Sequence, residues 1–155
     1  LKAALFDGES SRLYQRLVDK DQLAISVNGN FSFSFDPSLF QITARPKAGV
    51  QPEAVEKALY EELDRLKTGL VSDKELEKAK NLLIARFYRG MKTINGKARA
   101  LGNYETFLSD YRKMFTAPDD YNKVTREDLQ RVAKKYFTEK NRTVATLIPE
   151  KEETK

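Results

Sequence analysis

The chain has 155 residues, no cysteine and no histidine, with 28 Lys and Arg against 23 Asp and Glu for a net charge of +5. A chain of this length buries roughly 70% of its unfolded surface, so one domain can fold without a disulfide or structural metal. The composition removes thiolate and imidazole chemistry, and no apolar run approaches the ~18 residues of a membrane span.

In chain order, Leu1 to Gly8 reads as the last turns of a helix, which suggests an N-terminally truncated domain. Leu13, Leu17 and Val18 then recur at helical spacing, with Ser10 or Ser11 as the N-cap. A long strand follows. Leu23, Ile25, Val27, Phe31, Phe33 and Phe35 share one parity with Gly29, and Ala24, Ser26, Asn28, Asn30, Ser32 and Ser34 take the other. Such alternation predicts one buried face and one wet face. Asp36 to Ser38 turns the chain, and 39–45 alternates again to complete an antiparallel hairpin that Pro46 and Gly49 end.

Pro52, then Val55, Leu59, Leu63 and Leu66, predict a helix over 52–68, with Gly69 as a left-handed C-cap. Ser72 and Glu75 form a capping box for a second helix over 73–92, whose stripe is Leu76, Ala79, Leu83 and Phe87. These two helices are expected to pack as neighbours. Asn95 and Gly96 break the pattern before a third helix through Ala98, Leu101 and Leu108, and 115–124 reads as irregular. Thr125 and Asp128 open a further helix carrying Leu129, Val132, Ala133 and Tyr136. Residues 142–149 read as a closing strand, and 151–155 as a charged tail beyond a single domain of residues 1–150. The fold class is α+β: a two-layer sandwich, an antiparallel sheet with helices packed on one face.

The charge is uneven. Lys78, Lys80, Arg86, Arg89, Lys92, Lys97 and Arg99 occur with no acid between Lys78 and Tyr104. Its aromatics, Phe87, Tyr88 and Tyr104, do not alternate with the cations as a base-stacking platform requires, so the run reads as a solvated helix face and not as a nucleic-acid site. Ser10 and Ser11 have no neighbouring base to activate them. The acid pairs Glu61–Glu62 and Asp119–Asp120 are adjacent in sequence, so on a helix their side chains diverge by about 100°. A single glycine in "DGESS" makes no phosphate loop. Catalysis by this chain alone is not supported.

The stretch "DGESSRLYQRLVDKDQLAISV" with its phenylalanine-rich hairpin, "GLVSDKELEKAKNLL" and "VTREDLQRVAKKYF…NRTVATLIP" together resemble the non-catalytic, C-terminal-type domain of pitrilysin/insulinase-type zinc peptidases. The resemblance covers nearly all of residues 1–150. It implies a domain lacking the first strands of the family fold. It also implies a partner catalytic half, in the same polypeptide or a separate subunit, whose inverted H-x-x-E-H motif holds zinc, and a closed chamber around a peptide or unfolded-protein substrate. The domain's expected part is to enclose substrate, so an apolar surface left open should face the partner. A catalytically inactive relative acting as a structural or assembly subunit is the alternative. A basic binding module of another kind is a third reading. The compartment stays open, the envelope being the resemblance's only pointer. Many second halves of the family place an Arg early in the helix and a Tyr seven residues later in the strand, to contact substrate. Here those positions are Val18 and Ile25, which cannot donate hydrogen bonds and which also read as ordinary core residues; Arg16 and Tyr14 are the nearest other donors.

Overall fold

The computed structural model describes residues 1–32 and 34–148. Phe33, Pro149, Glu150 and the charged tail at 151–155 lie outside the described residues. Helix α1 (Lys2–Phe6) ends at Asp7. Gly8 turns the chain at φ +87°, and a helical segment then runs as a π-helix over Tyr14–Lys20. Strand β1 (Ala24–Asn30) pairs antiparallel with β2 (Gln41–Pro46). Five helices follow: α2 (Pro52–Thr68), α3 (Asp73–Gly90), α4 (Ile94–Leu108), α5 (Lys113–Lys123) and α6 (Arg126–Tyr136). The α+β class with helices on one face of an antiparallel pair is what the sequence predicts.

The core gathers where the hairpin meets α1, α2, α6 and the π-helix. Leu5, Leu13, Leu17 and Ala24 are fully buried together with Leu66 and Ala133. On α2 the buried residues Val55, Ala58, Leu59, Glu62, Leu63 and Leu66 recur every three or four positions, so one stripe of a 17-residue helix faces inward. Phe40 knits the layers, with ring centroids 5.9 Å from Phe6 and 5.5 Å from Phe137. Gly29 lies directly under the Phe6 ring, where a Cβ would overlap the ring atoms. Alanines 3, 4 and 79 form a second small cluster that lets α1 sit close on α3.

Several expectations change. The long strand stops at Asn30, and its parity is broken: the ladder shifts between Ala24 and Ser26, so Ile25 is the extra residue of a β-bulge. Ala24 and Val27 are therefore the buried residues, while Ile25 is 54% exposed and Phe31 and Phe35 also remain outside. The hairpin link spans 31–40. Gly69 is extended (φ −125°, ψ 159°), not left-handed. Asn95 and Gly96 lie inside the first turn of α4, whose N-cap Thr93 accepts from the Gly96 N–H at 3.0 Å. Gly96 is needed because a Cβ there would collide with the Gly90 carbonyl. The segment read as irregular contains α5, which continues through Pro118. Burial of Met114 and Ala117, three apart on a helix that packs on α3 and α4, outweighs the lost backbone bond. Residues 142–148 form no strand: no strand edge is paired with them, and Val144, Leu147 and Ile148 stay exposed. The two long helices are not principal neighbours either. α2 packs on α6 and the π-helix, and α3 packs on α1 and α5.

Candidate functional site

The segment between α1 and β1 carries the residues that the sequence singles out. After the Gly8 turn, the Ser11 carbonyl starts the helix by accepting from the Gln15 N–H at 2.9 Å. The Ser11 hydroxyl is buried and makes no hydrogen bond, so it is not the side-chain cap predicted for Ser10 or Ser11. Arg12 points the other way, between two helices. Its Nε donates to Glu75 Oε1 at 2.7 Å and its Nη2 to Glu75 Oε2 at 3.0 Å. Its Nη1 donates to Glu62 Oε1 at 3.2 Å. Glu62, only 6% exposed, receives a further bond from Arg65 at 3.0 Å. Glu75 at the same time completes the capping box of α3, accepting from the Ser72 N–H at 2.9 Å.

The electrostatics follow this geometry. Burial works to lower the Arg12 pKa, but the Glu75 and Glu62 carboxylates outweigh it and raise the guanidinium above its ordinary value. Burial likewise pulls Glu75 upward. The hydrogen bonds from Arg12 and Ser72, with the Arg12 charge, hold it below the usual 4.5. Planar, bidentate pairing of this kind suits arginine and not lysine. Arg12 is therefore a structural fastener, occupied on all its polar edges that face the protein.

Val18 lies in the last turns of the π-helix, not early in it, and is half-buried against the core. Ile25 is turned outward by the bulge. The two residues sit on elements packed against each other, yet one leans inward and the other outward. Just before the strand, Gln22 takes a left-handed conformation (φ 51°), which carries the chain into the bulge. Of the alternative donors, Arg16 is already engaged, pairing with Asp21 at 2.7 Å and Glu61 at 3.0 Å, whereas Tyr14 packs on the core. The adjacent acids diverge as their spacing predicts: Glu61 meets Arg16 while Glu62 meets Arg12 and Arg65. Among the described residues no three acidic side chains converge as a metal site would require.

One face of the hairpin is left open. Across the ladder Asn28 stands opposite Thr43 and Asn30 opposite Gln41, and all four are exposed. Half-buried Ser26 faces the exposed Arg45, next to the bulged Ile25. That face is rich in uncharged donors and acceptors. The sequence hides the Arg12 fastener because its partners lie 50 and 63 residues away. One signal was available: Glu62 sits on the apolar stripe of α2, where an unpaired carboxylate would be costly.

The family profile described as "Peptidase M16 inactive domain" matches residues 1–83. Zinc protease PqqE of Helicobacter pylori is 30% identical over 154 residues, covering 96% of this chain and 33% of that protein. The chain thus spans about a third of the length of the curated relatives it matches. A crystal structure of a protease from Helicobacter pylori superposes with a TM-score of 0.82 at 27% identity, over 90% of this chain and 34% of that one. The inactive peptidase domain of a Bordetella parapertussis protein superposes with a TM-score of 0.84 at 27% identity, over 98% of this chain and 82% of that one.

Proposed function

Because the chain belongs to the peptidase M16 inactive-domain family, we propose that it forms the non-catalytic wall of a zinc metalloendopeptidase chamber and encloses peptide there, while a partner half performs hydrolysis. The observation that carries this reading is the hairpin face left open opposite the helices. Its uncharged Asn28–Thr43 and Asn30–Gln41 pairs offer hydrogen bonds to an extended backbone of any sequence, and Arg45 adds a positive charge at the end of the same face. The wall's contribution is to exclude water and hold the substrate extended.

Zinc does not fit this chain's own donors. There is no histidine or cysteine, and the acids of the Arg12 network are already neutralised by guanidinium groups. The metal and the hydrolytic step belong, on this reading, to the partner half. A second reading, an inactive relative serving as an assembly subunit, draws support from Val18 and Ile25, both hydrocarbon where the family resemblance places donors.

The two readings part in a reconstitution. The purified chain alone is expected to bind no stoichiometric zinc and cleave no fluorogenic peptide. Mixed with the zinc-bearing half, it should raise peptide cleavage well above that half alone. Equal turnover with and without the chain, in a complex that still forms, hands the role to the assembly subunit.

A further inference from the structure

From Lys80 to Lys113 no residue is fully buried, although the segment contains the second half of α3 and all of α4. α4 has 15 residues and not one buried side chain. A helix of that length is marginal in water by itself, and in proteins its stability comes from packing an amphipathic face. This helix also carries Gly96, Gly102, Asn95 and Asn103, all poor helix formers. Its inner side is satisfied in part: Phe107 stacks on Phe35 at 5.1 Å, and α4 rests on α5.

The outer side is not. Ile94, Leu101 and Leu108 follow each other at seven-residue steps, which puts them on one face, and they are 88%, 37% and 37% exposed. Ala98 lies between them, exposed. Glu105 falls on the same line, exposed, with its carboxylate folded back to accept the Tyr111 N–H at 3.0 Å. Lys92 precedes the helix and Lys97 flanks the stripe, in the stretch that holds seven cations and no acid. An exposed apolar line whose N-terminal half has a cationic border, with Glu105 as the one acid in α4, is an interface signature rather than an ordinary surface.

We propose that the outer face of α4 is the surface by which this chain docks its zinc-binding half, and that the half presents an apolar groove bordered by carboxylates. This rests on the reading given under Proposed function. Two observations select that occupant. The cationic border demands an acidic counterpart, and relatives three times longer than the match carry further polypeptide able to lie against it. The family profile ends at residue 83, so the surface lies in the part of the chain that the profile does not describe.

The test uses the full chain and the purified zinc-bearing half in titration calorimetry, with hydrogen exchange read at the α4 amides. Leu101→Glu and the pair Lys92→Glu/Lys97→Glu are each expected to weaken binding at least about tenfold while leaving the thermal midpoint of the free chain unchanged. Binding should protect the α4 amides, and added salt should weaken it. If the wild-type chain binds and both variants bind equally well, the docking surface is wrong and the chamber reading stands. If the wild-type chain binds no zinc-bearing half, both fall. Tight association with phosphatidylcholine–phosphatidylglycerol vesicles that Leu101→Glu abolishes would assign the face to a lipid surface and overturn the proposal.

Discussion

The Arg12 guanidinium grips both carboxylate oxygens of Glu75, at 2.7 and 3.0 Å, although the two residues are 63 positions apart. That contact fastens the turn before the π-helix to the first turn of α3, and through Glu62 it reaches α2 as well. The two helices pack chiefly on other elements, so Arg12 is the polar link between them.

Removing the guanidinium leaves Glu62 buried among apolar side chains with only Arg65 for company. Arg12→Ala is expected to destabilise the domain by about 2–4 kcal/mol. Arg12→Lys restores a point charge but not the fork, and should recover less than half of the loss. Urea denaturation midpoints of the three proteins check the order. A loss under about 0.5 kcal/mol for Arg12→Ala would remove the fastener from the account.

The same contact makes stability depend on acid. The Glu75 pKa is lower in the folded chain than its ordinary 4.5, so the unfolded chain takes up a proton first as pH falls. Its contribution is fully present above that ordinary value and disappears as pH drops through the lowered, folded one. Wild-type stability should therefore fall on acidification below about pH 4.5. Glu75→Gln should be less stable at neutral pH and show a shallower acid slope in chemical denaturation. Parallel slopes for the two proteins would refute the assignment.

Gly29 is set by contact. A methyl group there meets the Phe6 ring, which is itself buried between the layers. Gly29→Ala should cost about 1–3 kcal/mol through overpacking. Adding Phe6→Leu frees space, so the double variant should lose less than the sum of the two single losses. Strict additivity in thermal denaturation would show that the ring is not the obstacle.

Ile25 and Val18 differ in what replacement costs. Ile25 is half exposed on the bulge, so Ile25→Tyr should change stability by under about 1 kcal/mol. Val18 is half-buried, and Val18→Arg should cost more. On the proposal that these positions face substrate, the double variant reconstituted with the zinc-bearing half should cleave peptide faster. A restored guanidinium and phenol can both donate to a developing oxyanion. Unchanged turnover in a folded double variant would remove both residues from the substrate path.

Local chemistry in the sequence determined most of the elements. The capping boxes at Ser72–Glu75 and Thr125–Asp128 start α3 and α6 as their spacing predicts, because each box satisfies its own backbone groups within one turn. The bounds of α2 follow from Pro52 and the apolar stripe for the same reason. The family resemblance likewise rested on short blocks of chain.

Tertiary packing decided the rest. Alternation through 23–35 could not reveal the bulge at Ile25, because one inserted residue reverses every later side chain and is set by the partner strand. Pro118 argued against α5 until burial of Met114 and Ala117 outweighed it. The strand pattern of 142–148 found no paired edge, since strand propensity is realised only in a ladder. Arg12 gave no hint of its partners, and the spacing of Ala98, Leu101 and Leu108 in α4 gave none of what covers them. Such partners depend on what lies across space, and helical spacing records only which residues share a face, not whether anything covers it.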